Sequence, residues 1–296
     1  MKAKPRYPIY VPSKGRAEKC LTARFLIKDK VPFHLVVEKE EAKQYGDRYG
    51  KDKILILPFS NRGSVIPARN WIKEHATEAG HKRHWQLDDN MNVVRRWYRG
   101  KRIRCNSKPA MCATEDLTDR YENVAISGLN YTMFCIPNKM PPFYLNQHVY
   151  SFSLILNEMP YEWRGKYNED TDICLQVLSE GWCTILMNAF MVDKAHTMTM
   201  KGGNTSELYD KADGRLKMAR SLERVWPGVV TTGRRFKRPQ HFVNSAWRKF
   251  DNKLIRRKDI DWENIEDNEY GMKLRQVAAV IKSPDLQELI RDVNSV

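Results

Sequence analysis

The segment HWQLDDNM (residues 84–91) is the most informative part of the chain, because an apolar run ends abruptly in side chains that carry oxygen. The first residues have the length and apolar content of a buried strand, and Asp88, Asp89 and Asn90 follow at once. In an open α/β sheet, ligands bind outside the carboxyl ends of the strands. We therefore predict a strand at 84–89 whose carboxyl end lies in a ligand site.

Strands and helices alternate on the N-terminal side of this segment. The pattern predicts strands at 7–13, 33–38 and 54–60 and helices at 17–30 and 65–80. This spacing is typical of a parallel sheet with crossover helices. The polar residues that end its strands should therefore converge at one edge: Ser13, Lys14, Arg16, Glu38, Asn61, Arg62, Asp88, Asp89 and Asn90.

The second half of the chain is less regular. Its apolar runs predict further strands at 123–136, 148–157 and 182–188, and its periodic segments predict helices at 168–181, over most of 206–228, and near 272–292. The chain turns strongly basic at 231–258 and acidic at 259–269. We predict two units, a main domain at 1–228 and a mainly helical extension at 229–296.

The composition limits the class of protein. The chain has 296 residues, of which 29% are charged and 42% hydrophobic, as in soluble globular proteins. It has no apolar run of about 18 residues, so we predict no membrane span. The N-terminal segment lacks the features of a secretory signal. Six scattered cysteines without a CxxC pair indicate reduced thiols in a cytosolic protein rather than a zinc site.

The net charge of +15 is concentrated in two segments. Residues 93–109 carry seven Lys or Arg and no acid, with Trp97 and Tyr98 among them, and residues 231–258 carry ten Lys or Arg against one acid. Basic segments with interleaved aromatic residues predict nucleic-acid binding, and a solvated basic face is the alternative. The arginines assigned to nucleic-acid contact are Arg95, Arg96, Arg99, Arg102, Arg104, Arg234, Arg235 and Arg238.

Three explanations fit the acidic turn at residues 88–90. Its five side-chain oxygens suit a hard divalent cation such as Mg²⁺ or Mn²⁺, which shares its coordination sphere with phosphates. One carboxylate could instead act as an acid or base, or the residues could cap a following helix. His196 follows the strand-like residues FMV and could complete a metal site or be structural.

The acidic segment NEDTD (168–172) has two interpretations. Acids at a helix start are stabilised by the helix dipole and need no further role. A carboxylate placed there could also deprotonate an acceptor hydroxyl within its reach, with Glu169 and Asp170 as the candidates.

The order of these motifs resembles that of GT-A fold glycosyltransferases. The matching elements are VPSKGR (11–16), the helix GSVIPARN (63–70), the metal-type motif QLDDN (86–90) and NEDTD. More narrowly, YPIYVPSKGRA, the ARN helix and HWQLDDNM resemble the TET-associated glycosyltransferases of bacteriophages. Those enzymes are held to add sugar to hydroxymethylated pyrimidines in phage DNA. The resemblance covers about residues 5–200.

The resemblance implies both a fold and an activity. The fold is GT-A, a Rossmann-like mixed, mainly parallel sheet flanked by helices, followed here by a basic helical extension. The activity is metal-dependent transfer of sugar from a nucleotide-sugar donor, in the first place a UDP-sugar, to the hydroxyl of a hydroxymethylated pyrimidine in DNA. The expected location is the cytoplasm of an infected bacterial host.

The resemblance also assigns roles to matching residues. One departure is Asn90, a neutral and weaker ligand where the family has Asp, which leaves open whether Asp88, Asp89 or both contact the metal. The donor residues would be Pro12, Ser13, Lys14, Arg16, Glu38, Arg62, Arg69 and Asp88. The ligands of Mn²⁺ or Mg²⁺ would be Asp88, Asp89, Asn90 and His196. The base would be Asp170 or Glu169.

Two other classes of function are compatible with the residues. One is a glycosyltransferase that acts on protein or polysaccharide, or a nucleotidyltransferase built on the same sheet. The other is a non-enzymatic nucleic-acid-binding protein whose acidic residues only cap helices.

Overall fold

A computed structural model of the chain describes residues 4–61, 63–137, 140–195, 214–235, 238–243, 249–268, 270 and 272. Its strands are β1 (Ile9–Pro12), β2 (His34–Val37), β3 (Ile54–Ile56), β4 (Arg83–Leu87), β5 (Met91–Tyr98), β6 (Lys101–Arg104), β7 (Val124–Tyr131), β8 (Phe143–Leu145), β9 (Phe152–Leu156), β10 (Cys183–Lys194), β11 (Thr231–Arg235) and β12 (Arg238–Phe242). Its α-helices are α1 (Leu21–Lys28), α2 (Ala42–Tyr49), α3 (Ile66–Glu78), α4 (Ser107–Asp119), α5 (Glu169–Ser179) and α6 (Gly214–Val225).

Ten strands of the described chain form one mixed sheet. Their order is β3–β2–β1–β4–β9–β7–β10–β5–β6, and β8 pairs with β10. The pairings make β1–β4, β6, β7 and β10 run one way, and β5, β8 and β9 the other. This mixed, mainly parallel sheet with flanking helices confirms the GT-A fold class predicted from the sequence.

Helices cover both faces of the sheet, which explains why its strands read as unbroken apolar runs. Every residue of β1 and β4 is buried. Ile9 and Val11 pack with α1 and α4, whereas Tyr10, on the opposite face of the same strand, packs with α3. The period-2 alternation of strand side chains therefore supplies two hydrophobic layers, and the polar residues that follow each strand lie outside both.

The strand directions place the site at one edge of the sheet. β1, β4, β7 and β10 end there, and the antiparallel strands β5 and β9 begin there. Ser13, Asp88, Tyr131, Ser151 and Lys194 stand at or next to these strand ends. Residues from five separate parts of the sequence therefore meet at this carboxyl edge.

Several elements have no counterpart among the predicted ones. Helix α2 is mostly polar and buries only Tyr45, Gly46 and Tyr49, so its apolar periodicity is weak. β5 and β6 form a hairpin in which closely spaced basic side chains obscure the alternation of a strand. Helix α4 and the short strand β8 also emerge only in the structure.

The described part of the C-terminal segment differs from the mainly helical extension predicted for 229–296. β11 and β12 form an antiparallel hairpin, and β11 begins with two β-branched threonines, Thr231 and Thr232. Residues 249–268 return to the main body, where the Asn252 side-chain amide donates to the backbone carbonyls of Leu178 (2.8 Å) and Trp182 (2.7 Å). Apart from Met272, the helix predicted near 272–292 lies outside the described residues, and the domain boundary at 228 stays a prediction.

Two sequence predictions concern the membrane and the cysteines. In the part of the chain that the structure describes, every helix is too short or too polar to cross a bilayer. All six cysteines are free thiols, and five of them are buried.

Gly128 on β7 allows a close approach of β9, and its replacement should destabilise the fold. A Cβ at this position would overlap the backbone carbonyl of Phe152. We expect Gly128→Ala to lower the free energy of unfolding by about 1–3 kcal/mol, measured by urea titration. Gly46→Ala in α2 is the matched control, because its Cβ would lie 3.3 Å from Cγ of the flexible Lys51 side chain and 3.7 Å, an ordinary contact distance, from Ile54 Cγ1 and Lys51 Cα. Alanine also favours the helix. Equal stability of Gly128→Ala and the wild type would contradict the close approach.

Candidate functional site

The loop after β1 is held by a buried tyrosine. The Tyr45 hydroxyl is 2.7 Å from Ser13 Oγ and accepts a hydrogen bond from the Arg16 backbone N–H (3.0 Å). Gly15 takes a left-handed φ of 66°, which glycine adopts without strain, and its N–H donates to Glu41 (2.7 Å). The loop is therefore fixed by α2 and its preceding turn before any ligand binds.

Asp89 belongs to this loop network. It is only 5% exposed, and its two carboxylate oxygens accept hydrogen bonds from Arg16 Nη1 (2.5 Å) and Ser13 Oγ (2.7 Å). Burial raises the pKa of Asp89, and the neighbouring Arg16 opposes that rise. Asp89 therefore ties the loop after β1 to the loop after β4.

Asp88 lies between two cations. Its Oδ1 accepts from Arg69 Nη2 (2.9 Å) and its Oδ2 from Lys194 Nζ (3.1 Å). Burial alone would raise the pKa of Asp88, but the charges of Lys194 and Arg69 bring it below the ordinary value. Asp88 is therefore ionised at neutral pH and holds α3 and β10 together.

Neither aspartate caps a helix with its carboxylate. The element that follows is strand β5, which begins at Met91 directly after Asn90. The capping alternative for the acidic turn is therefore wrong, because its carboxylates bind cationic and hydroxyl side chains instead.

Lys194, at the end of β10, is held by oxygen atoms from three strands. Besides Asp88, its Nζ donates to the Tyr131 hydroxyl (3.1 Å) and to Ser151 Oγ (2.7 Å). Burial would lower the pKa of Lys194, but Asp88 and Tyr131 raise it above its ordinary value. The side chain is therefore a fixed positive charge at the carboxyl edge.

Glu38 joins two of the loops that surround the site. Its carboxylate accepts from Lys14 Nζ (3.0 Å), the Asn61 backbone N–H (2.8 Å) and Ser60 Oγ (3.2 Å). Burial would raise the pKa of Glu38, and these partners lower it overall. Glu38 thus connects the loop after β1 with the loop after β3.

A cleft of about 180 Å³ opens between these loops. We call it the donor cleft after the ligand that the sequence predicts for it. It brings together most of the residues predicted for the donor and the metal, although Glu38 lies outside its lining and Arg62 and His196 lie outside the described residues. Its lining is Pro12, Ser13, Lys14, Arg16, Asn61, Ser64, Val65, Arg69, Asp88, Asp89, Asn90 and Glu169.

The two candidate bases at the start of α5 have different environments. Glu169 lines the donor cleft, 3.6 Å from Arg69 Nε, and burial together with the Asp170 charge raises its pKa. Asp170 is 36% exposed in its side chain and lies 3.4 Å from His148 Nε2. Burial would raise the pKa of Asp170, but His148, Lys194 and Arg69 lower it well below its ordinary value.

A second cavity, of about 440 Å³, lies on the other side of Lys194. Lys194 and Tyr131 line it together with Arg95, Arg102 and the exposed Met133. Since Lys194 also contacts Asp88 of the donor cleft, the Asp88–Lys194 pair stands between the two cavities.

The basic residues of segment 93–109 lie on different faces of the β5–β6 hairpin. Arg95 pairs with Arg104 across the strands, and Arg102 pairs with Trp97 on the same face. Arg95 also forms an ion pair with Asp193 (2.8 Å). A third cavity, of about 380 Å³, joins this face to α1, with Arg24, Lys28, Arg95 and Arg104 in its lining.

Arg96 and Arg99 lie elsewhere on the hairpin. Arg96 stacks on the rings of Tyr98 and Tyr270, at 5.2 and 4.4 Å from their centroids. Arg99 occupies the turn with a left-handed φ of 49° and lies over Tyr98. The side chains of Arg96 and Arg99 therefore pack on aromatic rings and do not line the second or the third cavity.

The second basic group sits on the β11–β12 hairpin. Arg235 and Arg238 are cross-strand partners, and Arg234 and Arg238 are exposed. His241, on β12, lies close enough to Asp170 and His148 for their charges to act on its pKa, which burial lowers. The hairpin therefore borders the acidic start of α5.

The described residues contain no cluster of three or more His, Cys, Asp or Glu side chains arranged to hold a metal ion. Asn90 Oδ1, however, is buried in the lining of the donor cleft, with no hydrogen-bond donor among these residues. An oxygen of this kind is a suitable ligand for a hard cation.

The sequence matches the TET-associated glycosyltransferase family over residues 7–203, and the chain belongs to that family. No curated protein sequence matches it. Among solved structures, it is similar to GalNAc-T7 with UDP, GalNAc and Mn²⁺, at 13% identity and a TM-score of 0.45, over 76% of this chain and 52% of that one. It is also similar to mannose-1-phosphate geranyltransferase from Thermus thermophilus, at 13% identity and a TM-score of 0.30, over 83% of this chain and 68% of that one. The chain thus spans about half the length of the GalNAc-T7 structure.

Tyr45 should stabilise the loop after β1 through its hydroxyl group. Tyr45→Phe leaves Ser13 and the Arg16 N–H without this partner in a buried position, and should lower the free energy of unfolding by about 1–3 kcal/mol in urea titrations. The matched control is Tyr98→Phe, where the ring is 47% exposed and the change should be within about 0.5 kcal/mol. Equal effects of the two substitutions would contradict the network.

Proposed function

We propose that this member of the TET-associated glycosyltransferase family moves a sugar from a nucleotide-sugar donor to the hydroxyl of a hydroxymethylated pyrimidine in phage DNA. The observation that supports it best is the Asp88–Lys194 pair, which separates a cleft suited to a diphosphate from a larger, arginine-lined cavity.

The donor cleft suits the phosphate end of a nucleotide sugar. Lys14, Arg16 and Arg69 line it, and phosphate oxygens are ligands for such cations. Its volume of about 180 Å³ is below the range typical of pockets for drug-sized ligands, so the described residues enclose only part of the donor. The diphosphate leaves with negative charge, which the prearranged cations stabilise.

The residues of the cleft fit a divalent cation, Mn²⁺ or Mg²⁺, through two oxygen donors. Asn90 Oδ1 is buried without a partner among the described residues, and Asp88 provides a carboxylate in the same cleft. Asp89 fits less well, since both its oxygens already hold the loop after β1. When bound, such an ion supplies positive charge to the departing diphosphate.

Asp170 is the side chain best suited to be the base. It is more exposed than Glu169, and it carries a negative charge stabilised by His148. Glu169 faces Arg69 in the donor cleft instead. A base must be ionised and within reach of the acceptor hydroxyl, and Asp170 meets the first condition at neutral pH.

The second cavity suits the acceptor nucleotide. Arg95, Arg102 and Lys194 provide positive charge for the DNA backbone, and Tyr131 provides an aromatic ring beside them. An acceptor base placed there would lie next to Lys194, and so next to the donor cleft. The basic lining that continues over Arg104, Arg24 and Lys28 extends the path for flanking phosphates.

The experiment that tests this function is incubation of the purified chain with a panel of nucleotide sugars, Mn²⁺, and either hydroxymethylated or plain DNA. Mass spectrometry of the released nucleosides should show a hexose on the hydroxymethylated base alone. Sugar transfer to a protein or polysaccharide acceptor, with the DNA left unmodified, would overturn the proposal in favour of another acceptor.

The pH dependence of transfer should identify the base. Because the pKa of Asp170 is lowered, kcat/KM should stay flat as the pH falls from 7.5 to about 5, above the ordinary range of carboxyl pKa values. If Glu169 were the base, kcat/KM would instead fall at acid pH, because the pKa of Glu169 is raised above its ordinary value of 4.5. Asp170→Asn should lower kcat by about 10²–10⁴-fold. An acid limb in this range that disappears in Glu169→Gln would assign the base to Glu169.

The face of the β5–β6 hairpin that carries Arg95, Arg102 and Arg104 should bind DNA phosphates. Reversing both charges in Arg102→Glu/Arg104→Glu should weaken DNA binding and reduce the slope of log K against log salt by about 0.9 for each phosphate that the protein no longer neutralises. Fluorescence anisotropy over a range of salt concentrations measures both quantities. Lys43→Glu/Lys51→Glu is the matched control, with the same change in net charge in and just after α2, at the opposite end of the sheet. Identical slopes for the two double variants would exclude the hairpin from the interface.

A further inference from the structure

We infer that the ammonium group of Lys194 is the resident cation on Asp88, at the boundary of the donor cleft and the second cavity, and that a divalent ion binds Asp88 only by displacing it. The inference rests on the proposed function in one respect, which is that the cleft receives a donor with its metal ion. The exchange itself is argued from the contacts of Asp88 and Lys194.

The shell around Lys194 Nζ is made of oxygen atoms. It consists of Asp88 Oδ2 at 3.1 Å, the Tyr131 hydroxyl at 3.1 Å and Ser151 Oγ at 2.7 Å. An ammonium has three N–H donors, so these contacts satisfy it completely. A carboxylate and two hydroxyl oxygens are also the donor types that a hard cation prefers. The Lys194 ammonium therefore occupies a position that a metal ion could take in its place.

Asp88 offers no oxygen that is free of a cation. Arg69 donates to Oδ1 and Lys194 to Oδ2, at 2.9 and 3.1 Å. A divalent ion that used this carboxylate would lie beside two positive charges, which repel it. Each oxygen keeps a second lone pair, but an ion placed there would lie against this repulsion, and the exchange that we infer removes it by releasing one of the two side chains.

Lys194 is the side chain that can leave. Arg69 is 5% exposed, and its Nη1 also donates to Gln86 Oε1 (3.2 Å), a contact between α3 and β4. Lys194 keeps 20% of its side chain exposed and lines the second cavity. Its flexible stem lets the ammonium move away from Asp88 while it still contacts Tyr131 or Ser151.

The local charges explain why the exchange would depend on the donor. The ion pairs of the cleft around Asp88 and Asp89, among the described residues, join Arg16, Arg69 and Lys194 to Asp88, Asp89 and Glu169. Three cations and three carboxylates balance in these pairs, and the Asp170 carboxylate adds one negative charge near Arg69 and Lys194. The two charges of a divalent ion alone would exceed it and leave an excess of positive charge. A diphosphate removes that excess, and the displaced ammonium can then face its oxygens or the acceptor cavity.

The experiment measures Mn²⁺ binding to the full chain at fixed pH by electron paramagnetic resonance, in which bound Mn²⁺ loses the signal of the free ion. The wild type should bind weakly, and uridine diphosphate should strengthen binding. Lys194→Met should bind Mn²⁺ at least ten-fold more tightly without any nucleotide. Lys194→Arg keeps the positive charge and should stay close to the wild type.

A second substitution ties the gain to Asp88. In Lys194→Met/Asp88→Asn the gain should disappear, because the carboxylate that the ion takes over is gone. Lys194→Gln removes the charge but keeps a polar group for Ser151 and Tyr131, and it answers the question if Lys194→Met does not fold. Unchanged Mn²⁺ affinity in the folded Lys194 variant, or a gain that survives in the double variant, would overturn the inference.

Neither measurement uses DNA or sugar transfer. If the transfer assay fails while Lys194→Met binds Mn²⁺ more tightly through Asp88, the proposed acceptor is wrong and the cation exchange stands. If transfer succeeds and the Mn²⁺ affinities are equal, the function stands and the exchange is wrong.

Discussion

The carboxylate of Asp88 organises the carboxyl edge of the sheet, because each of its oxygens binds a cation from a different element. Arg69 reaches it from α3 and Lys194 from β10. Its backbone joins two more elements, since its N–H donates to the Ser151 carbonyl before β9 (2.9 Å) and its carbonyl accepts from Thr22 Oγ1 in α1 (2.5 Å). Buried ion pairs are costly to separate, and four parts of the chain therefore depend on one residue.

The two neighbouring aspartates have different roles although the sequence presents them as a pair. Asp89 is committed to the loop after β1, whereas Asp88 lies at the boundary between the donor cleft and the second cavity. The acids at the start of α5 divide in the same way, since Glu169 pairs with Arg69 and Asp170 with His148. Each pair thus supplies one carboxylate for holding the structure and one for the reaction that we propose.

The sequence predicts the strands that carry the site because their apolar runs stop at polar residues. β1 and β4 are recognisable in this way, and the loops after them converge as parallel strands require. Lys194 ends β10 by the same rule, but a single lysine among 51 basic residues carries no signal of its own. Its importance arises from the strand order, which puts β10 beside β7 and brings Lys194 to Tyr131 and Ser151.

The sequence groups Arg96 with the nucleic-acid contacts because it does not predict the hairpin, and so it cannot assign the face on which Arg96 stacks against Tyr270.

We propose that the cluster of Asp88, Arg69 and Lys194 receives the diphosphate of the donor. A crystal structure of the chain with a nucleotide sugar and Mn²⁺ would show whether it does. We expect diphosphate oxygens within hydrogen-bond distance of Arg69 or Lys194, with the nucleoside toward the loop after β1. A nucleotide bound elsewhere, with both cations still on Asp88, would contradict it.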